Sequence, residues 1–364
     1  MFYEKELNAI HKSNRFRTRK LFDENLIDLA SNDYLGLASN KELFTKAYEL
    51  VLKEKYTSPK SSILVNGYSN IHKSFEDRLC QINGFESAIV VGSGFLANIA
   101  LIESMVRKKD ILLIDEEYHA SGMLASALVQ GEVILFNHND INDLENKIKQ
   151  YKNQRIIIAI EGVYSMSGSI APKEFYEISN KYNAILIVDE AHSSGVIGDN
   201  LLGWYDYHNL KIKDNHIKMG TLGKAYGSYG AYILASKHII SYLENRAKPI
   251  IYSTAPSLFD IALGLISLEY IIQNKKEIIK NIKSHQEIVK DILNIEVKSL
   301  ILPIEINDNK KVLEIQKALM DEGFIIGAIR QPTVKKAILR VILKLDISNA
   351  SMIIFFKNHL KSLI

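Results

Sequence analysis

The chain has 364 residues, of which 47% are hydrophobic and 24% are charged. This length favours two domains over a single compact core, and the composition is typical of an ordinary globular protein. Lys and Arg outnumber Asp and Glu by 45 to 42, an excess of three charges that is too small to indicate a nucleic acid or a membrane surface as partner.

The first twenty residues contain acidic side chains and no apolar core, so they are not expected to form a signal peptide. The longest apolar runs have the length of buried strands and are too short to span a bilayer. The single cysteine, Cys80, permits no internal disulfide and no cysteine-ligated metal cluster. We therefore expect a cytoplasmic protein without a metal site.

Seven short apolar runs in the middle of the chain are predicted to be strands, because several are apolar on both faces like the strands of a covered parallel sheet. They are SAIVVGSG (87–94), DILLID (110–115), EVILFN (132–137), RIIIAIEG (155–162), AILIVDE (184–190), HIKMGT (216–221) and GAYILAS (230–236). Between them lie three helix-like segments, 95–108, 141–153 and 172–183, the last with Pro172 in its first turn. This alternation predicts an α/β domain with a mainly parallel seven-stranded sheet covered by helices.

The pattern changes after residue 256. One long helical region (257–293) precedes the strand-like segments 299–306, 324–329 and 338–345, with a helix-like segment at 309–323. These elements predict a smaller C-terminal α+β domain with an antiparallel sheet. The expected organisation is an N-terminal segment (1–38), a large domain (39–256) and a small domain (257–364).

The carboxyl ends of the predicted strands carry polar residues, and ligands of open α/β sheets bind at those ends. The first strand runs into GSGFLAN (92–98), whose glycines and following helix favour an anion such as phosphate. His119, Ser165 and Asp189 follow three other strands, and His192 comes three residues after Asp189. The strand ends thus offer a phosphate cradle, two imidazoles and a carboxylate. The carboxylate is suited to a ligand's protonated ring nitrogen, to a helix cap or to a buried ion pair.

Lys224 lies after a further strand, in GTLGKAYGSYG (220–230), among four glycines that we expect to make room for a flat ligand. A lysine in a tight, partly desolvated site supplies the neutral amine that attacks an aldehyde. Pyridoxal phosphate requires this set of groups, and a nicotinamide cofactor does not.

The chain resembles the α-oxoamine synthases, a family of fold-type I pyridoxal phosphate enzymes, over nearly its whole length. The resemblance rests on motifs that occur in the family's order: SNDYLGL (31–37), NGYSNIHKSFE (66–76), GSGFLAN, DEEYHASG, EGVYSMSGSIAP, IVDEAHSSGVIG, TLGKAYGSYG and IYSTAP. It implies that Lys224 bonds to the cofactor aldehyde and that Asp189 pairs with the ring nitrogen. It further implies that His119 stacks on the ring, and that Ser165 and His192 hydrogen-bond near its phenolic oxygen.

The same resemblance assigns the cofactor's phosphate. Gly94 and Phe95 are implied to bind it through their backbone and Thr221 through its hydroxyl, while Thr254 reaches the phosphate of a neighbouring subunit. Sites shared in this way imply a homodimer. The family's reaction joins an amino acid to an acyl thioester with loss of carbon dioxide.

Substrate choice is implied by segments nearer the termini. GAIRQPTV (327–334) resembles the segment of the family members that make 8-amino-7-oxononanoate for biotin, more than that of glycine C-acetyltransferases. The resemblance places Arg330 and Thr333 against a pimeloyl-derived substrate, delivered by coenzyme A or by an acyl carrier protein. In the N-terminal FRTR it places Arg17 there as well, with Arg15 and Arg19 as alternatives.

Arg340 matches the family's arginine for the amino acid carboxylate, and Asn32 is expected to assist it. One segment departs from the family pattern: TSPKSSILVNG (57–67) has no glycine before Gly67, which leaves the acyl preference open. The alternatives are condensation of glycine with acetyl-CoA or another acyl-CoA, an aminotransferase, and a non-catalytic relative.

Overall fold

A computed structural model describes residues 2–151 and 153–363, which divide into two compact units. The sheet unit comprises residues 33–165 and 169–280, and the terminal unit comprises residues 1–32, 166–168 and 281–364. The boundaries of these units differ from the domain limits expected at residues 38 and 256. Those domain limits stay a prediction.

The described residues contain twelve strands. They are β1 (Ile27–Asp28), β2 (Ser87–Val91), β3 (Ile111–Asp115), β4 (Glu132–Phe136), β5 (Ile156–Glu161), β6 (Ile185–Asp189), β7 (His216–Thr221), β8 (Ala231–Ala235), β9 (Ile301–Glu305), β10 (Phe324–Ile325), β11 (Gly327–Ile329) and β12 (Ile338–Ile342).

Fourteen α-helices are described with them. They are α1 (Glu4–Lys12), α2 (Lys41–Leu52), α3 (Asn70–Asn83), α4 (Gly94–Met105), α5 (Ala120–Ser126), α6 (Ile141–Ile148), α7 (Glu174–Lys181), α8 (Trp204–Tyr207), α9 (Lys237–Arg246), α10 (Lys248–Ile251), α11 (Leu258–Gln273), α12 (Lys275–Leu293), α13 (Asn309–Asp321) and α14 (Asn349–Ile354). Tighter or wider helical turns occur at Leu37–Ser39, Ile63–Gly67, Phe355–Leu360 and Lys361–Leu363. No helix of the described part is both long and apolar enough to cross a membrane.

The sheet unit is built on a seven-stranded sheet in the order β2-β8-β7-β6-β5-β3-β4. Strand β8 runs antiparallel to β2 and β7, and the remaining neighbours are parallel. All seven predicted strands and the α/β fold are thereby confirmed. Strands β3 and β5 are buried along their whole length, as their uninterrupted apolar runs predict.

The predicted helices form with two differences. Helix α7 begins at Glu174, so Pro172 lies before the helix and not in its first turn. The long helical region is two helices, because Asn274 leaves helical geometry and its side-chain amide donates to the Tyr270 carbonyl at 2.8 Å. Asparagine is well suited to such an end because its short amide can bond the local backbone.

The terminal unit contains the predicted antiparallel sheet, in the order β11-β12-β9. The segment 324–329 does not form one strand. Its first part, β10, pairs in parallel with β1, and its second part, β11, pairs with β12. The change of sheet occurs at Ile326, a buried residue between the two strands.

Parallel register determines which residues meet at the edge of the large sheet. Glu161, the last residue of β5, pairs with Asp189, the last residue of β6. Asp115 ends β3, and Thr221 ends β7 in the same sheet. Because the carboxyl ends of parallel strands lie at one edge, the sheet gathers these polar side chains while its middle stays apolar.

The glycines that follow β7 also serve the packing of the chain. Gly227 has a φ of 59°, and a Cβ added to it would lie 2.6 Å from the Ala38 nitrogen and the Leu37 carbonyl carbon. A Cβ on Gly220 would lie 2.3 Å from the Tyr232 ring. At these two positions the absent side chain makes room for protein atoms. The expectation that the glycines make room for a flat ligand stays a prediction.

Gly227→Ala is expected to lower the free energy of unfolding by roughly 2–3 kcal/mol, since backbone atoms must shift in addition to the cost of a positive φ. The matched control is Gly84→Ala, because Gly84 has a φ of +76° but no atom closer than 4.0 Å to its added Cβ. The control should cost only about 1 kcal/mol. Urea unfolding measures both, and equal losses for the two variants would contradict the steric argument.

Candidate active site

Lys224 is hydrogen-bonded to an imidazole. It lies half-buried in the turn after β7, and its Nζ is 2.6 Å from Nε2 of His192. His192 follows β6 and is buried, and its Nδ1 lies 2.5 Å from the hydroxyl of Tyr34. Both ring nitrogens are thus engaged, which fixes the orientation of the imidazole toward the lysine. Lys224 and His192 are predicted from the sequence as site residues, and Tyr34 is not.

Asp189 is buried at the end of β6 and accepts two N–H donors. Its Oδ1 accepts the Ala191 backbone N–H at 2.9 Å, and its Oδ2 accepts the Asn98 side-chain amide at 2.8 Å. Asn98 lies on α4 and also accepts from the Tyr118 hydroxyl at 2.8 Å. A buried carboxylate requires such donors. Asn98 belongs to the GSGFLAN motif, but its role was not predicted.

His119 belongs to the same hydrogen-bond network. It precedes α5, and its Nδ1 accepts the Ser121 backbone N–H at 3.2 Å and lies 2.7 Å from the Ser121 hydroxyl. That hydroxyl in turn accepts from Asn98 at 2.9 Å. Burial lowers the pKa of His119 below its usual value; the negative charge of Asp189 opposes this shift and the positive charge of Lys224 adds to it.

Ser165 lies in the turn after β5 and is 4% exposed. Its backbone N–H donates to Oε2 of Glu161 at 3.0 Å. Glu161 is 1% exposed, and its Oε1 has no hydrogen-bond partner in the part of the chain that the structure describes. This glutamate begins the EGVYSMSG motif, but no role is predicted for it from the sequence.

The predicted phosphate end lies where α4 begins. Ser93 caps this helix by accepting the Leu96 N–H at 3.3 Å, and the helix starts at Gly94. A Cβ on Gly94 would lie 3.6 Å from the Thr221 Cβ, so the helix start and the Thr221 hydroxyl are neighbours. Phe95 is 47% exposed. The N-terminus of a helix beside a hydroxyl is suited to an anion.

Thr254 stands apart from this description. Its side chain is exposed, in the segment that connects α10 to α11. The neighbouring Ala255 donates its N–H to the Ser61 carbonyl at 2.9 Å, which attaches that segment to the residue 57–67 loop. Its role at a second subunit's phosphate stays a prediction.

The five predicted substrate residues all belong to the terminal unit. Arg340 is 5% exposed and donates from Nη1 to Oδ1 of Asn32 at 3.0 Å. Arg17 donates to the Thr333 hydroxyl at 3.4 Å, and Arg330 donates to the Asn14 carbonyl at 2.9 Å. Neither Arg17 nor Arg330 is paired with a carboxylate of the described residues.

The positive charges of Arg17 and Arg330 repel each other. Burial lowers the pKa of Arg330 below its usual range, and the nearby positive charge of Arg17 lowers it further. Two guanidinium groups held close together favour an anion, which would relieve their repulsion.

The residues of the sheet unit fit pyridoxal phosphate. A primary amine beside an imidazole fits an aldehyde, a buried carboxylate with fixed orientation fits a protonated ring nitrogen, and a helix start with a hydroxyl fits a phosphate. No cluster of three or more metal-ligating side chains occurs among residues 2–151 and 153–363.

Comparison with known proteins agrees with this chemistry. The family model "aminotransferase class I and II" matches residues 24–353. A curated protein of Helicobacter pylori, named 8-amino-7-oxononanoate synthase, is 48% identical over 345 residues, which cover 94% of this chain and 92% of that protein.

Two solved structures show the same fold. A serine palmitoyltransferase from S. paucimobilis is 21% identical with a TM-score of 0.89, covering 99% of this chain and 96% of that one. An 8-amino-7-oxononanoate synthase from Francisella tularensis is 27% identical with a TM-score of 0.76, covering 94% of this chain and 98% of that one.

Asn98→Leu is expected to lower the free energy of unfolding of the cofactor-free protein by at least about 2 kcal/mol, because it leaves several buried polar atoms without partners. Asp189, Ser121 and Tyr118 each lose a hydrogen bond. The control Ser121→Ala keeps the contacts of Asn98 with Asp189 and Tyr118, and should cost about 1 kcal/mol. Chemical denaturation compares them; a loss for Asn98→Leu no larger than that for Ser121→Ala would refute a central role for the amide.

Proposed function

The chain belongs to the aminotransferase class I and II family, and we propose that it condenses L-alanine with a pimeloyl thioester. The products are 8-amino-7-oxononanoate, carbon dioxide and the free thiol of the acyl carrier, and the cofactor is pyridoxal phosphate. The observation that carries this proposal is the hydrogen bond of 2.6 Å between Lys224 and His192. It occurs in a chain 48% identical to a curated 8-amino-7-oxononanoate synthase across nearly the whole of both sequences.

When bound, pyridoxal phosphate supplies an aldehyde for covalent attachment and an aromatic ring that withdraws electrons from the amino acid's Cα. Lys224 would be the attachment point, and its amine, when free, would take the Cα proton at Nζ. His192 holds that amine through Nε2, while Tyr34 holds the imidazole through Nδ1. Lys224 therefore has a neighbour that directs it and exchanges a proton with it.

Asp189 binds the protonated nitrogen of the cofactor ring and keeps the ring electron-withdrawing. Asn98 and the Ala191 N–H set the direction of its carboxylate. His119 would pack on the face of the ring, and its lowered pKa favours the uncharged imidazole. An uncharged ring avoids adding a positive charge beside Lys224.

The phosphate is assigned to the start of α4 and the end of β7. Gly94 and Phe95 contribute backbone N–H groups, and Thr221 contributes its hydroxyl. Ser165, in the turn after β5, and His192 are assigned to the surroundings of the cofactor's phenolic oxygen, near which both would form hydrogen bonds. Thr254 is assigned to the phosphate of a second subunit.

The terminal unit is assigned to the substrates. Arg340, oriented by Asn32, binds the carboxylate of alanine, because a guanidinium can donate two parallel hydrogen bonds to a carboxylate. Arg17, Arg330 and Thr333 bind the acyl substrate. Their paired positive charges suit the anionic groups of a pimeloyl thioester, whether coenzyme A or an acyl carrier protein delivers it.

Purified protein with pyridoxal phosphate is expected to form 8-amino-7-oxononanoate from alanine and a pimeloyl thioester, identified by mass spectrometry with equimolar carbon dioxide. Four mixtures decide the substrates: alanine or glycine, each with a pimeloyl or an acetyl thioester. Pimeloyl-CoA and pimeloyl carrier protein are compared in separate arms. Lys224→Ala should abolish both turnover and the absorption band of the attached cofactor.

Two results would contradict the proposal. Turnover of glycine with the acetyl thioester alone would assign the chain to another reaction of the same scaffold. Conversion of the cofactor to pyridoxamine phosphate without carbon dioxide would assign it to transamination.

We also propose that the enzyme is a cytoplasmic homodimer. One face of α2 exposes Phe44, Tyr48 and Leu52, which are 54%, 52% and 57% exposed and recur every fourth residue. In the same unit Val65 is 74% and Tyr252 80% exposed. Monomers seldom expose so many large apolar side chains. A second copy that covers these side chains would also bring its phosphate site to Thr254.

Light scattering after gel filtration is expected to give twice the chain mass of 41.2 kDa. Replacing Tyr48 and Leu52 together by Glu should shift the protein to the single-chain mass, because charges would be buried at the interface. The matched control Leu128→Glu changes another leucine, 53% exposed and outside that face, and should leave the dimer intact. A wild-type protein that elutes at the single-chain mass would rule out the dimer.

A further inference from the structure

Glu161 is the most deeply buried carboxyl group of the candidate site without a complete set of partners. It ends β5, is 1% exposed, and donates or accepts nothing through Oε1 among the described residues. Its Oε2 accepts one hydrogen bond, from the Ser165 backbone N–H at 3.0 Å. A buried polar atom without a partner costs free energy, so an unpaired Oε1 in a cofactor site indicates a ligand atom.

Glu161 and Asp189, which end neighbouring strands, differ in the number of hydrogen bonds that their carboxyl groups accept. Asp189, opposite Glu161 in the register, accepts N–H groups at both oxygens, whereas Glu161 accepts one at a single oxygen. Two carboxylates so close in a buried site repel each other, and the one with fewer donors retains its proton.

The titratable groups around Glu161 come from both strands that pair with β5 and from the turns that follow β3, β5 and β7. Asp115 ends β3 and Asp189 ends β6, Lys224 follows β7, and Tyr118 and Tyr164 lie in the turns after β3 and β5. Burial and then the charge of Asp189 raise the pKa of Glu161 well above its usual value, with Asp115 adding to the shift. Lys224 and the Ser165 N–H oppose it without reversing it.

We propose that Glu161 is a substrate-binding residue that works as an uncharged carboxylic acid, donating a hydrogen bond from Oε1 to the carboxylate of the bound amino acid. Lys224 lies near enough to Glu161 for its positive charge to affect the pKa of that carboxyl group. This inference rests on the proposed function, in which the amino acid substrate binds beside Lys224. Of the polar groups of the amino acid, the nitrogen and the adjacent carboxylate, the carboxylate accepts from an O–H donor.

A purely structural role explains less. The side chain is not needed as a partner for Asp189, whose two oxygens already accept other donors. Its single hydrogen bond to Ser165 would be retained by glutamine, and glutamine also offers a donor at the second position. Glu161→Gln keeps an uncharged hydrogen-bond donor, and Glu161→Leu keeps only a side chain that fills space. Comparing the two variants therefore distinguishes a role as an uncharged donor from a role as a charged group or as a space-filling side chain.

The first measurement is the affinity of the cofactor-loaded protein for alanine in the absence of an acyl donor. Binding is monitored through the change in the absorption spectrum of the protein. Glu161→Gln should keep the wild-type affinity within about threefold, and Glu161→Leu should weaken it by about tenfold or more. In turnover the same variants should change the KM for alanine and leave the KM for the acyl donor unchanged. Glu177→Gln, which alters an exposed carboxylate on α7, is the control.

The second measurement is thermal unfolding of the cofactor-free protein against pH. A folded-state pKa above the unfolded value means that wild-type stability falls as pH rises above about 4.5, because only the unfolded chain releases the proton. Glu161→Gln lacks this loss. Its Tm should match that of the wild type near pH 4 and exceed it by several degrees near pH 8.

Equal loss of alanine affinity in Glu161→Gln and Glu161→Leu would show that a charged carboxylate is required and would overturn the proposal. Wild-type affinity in Glu161→Leu, or a Tm difference that does not grow with pH, would overturn it as well. If Glu161→Leu fails to fold, affinity and Tm of Glu161→Gln decide alone. The affinity for alanine and the Tm are measured without an acyl donor, so failure of the pimeloyl reaction in the wild type would be recognised separately.

Discussion

The candidate site depends on the parallel register of β5, β6 and β7. This register places Glu161 opposite Asp189 and lets the turn after β7 bring Lys224 to His192, which follows β6. The strands are apolar through their middle because helices cover both faces of the sheet, and they become polar only at their last residues. A slip of one residue would turn these side chains to the opposite face.

Buried polar groups at this edge need hydrogen-bond partners, and the side-chain amide of Asn98 is the partner of several of them. Asn98 joins Asp189, Ser121 and Tyr118, and through Ser121 it is connected to His119. The network thereby fixes the groups assigned to the ring nitrogen and to the ring face before any ligand binds. Such preorganisation reduces the entropy lost when the cofactor and substrate are ordered.

Much of the fold and the identity of several site residues could be predicted because their signals are local. A buried parallel strand is a continuous apolar run, and Lys224, Asp189 and His119 follow such runs directly in the sequence. The break at Asn274 was missed because both helices continue the same apolar spacing across it. Partners distant in sequence carry no such signal.

Tyr34 and His192 illustrate that limit, since they are 158 positions apart and meet only after folding. Asn98 and Asp189, separated by 91 positions, are a second case. Glu161 is a third, because its unusual feature is an oxygen without a partner. An absent contact is visible only in three dimensions, whereas the glutamate itself reads as an ordinary strand end.

The most direct test of the central claim is borohydride reduction of the protein loaded with pyridoxal phosphate, followed by proteolysis and mass spectrometry. Reduction makes the bond between lysine and cofactor permanent and so reveals which lysine carries it. The account predicts a single modified peptide with the cofactor on Lys224. A cofactor attached to any other lysine, such as the buried Lys218 of β7, or no modified peptide at all, would contradict it.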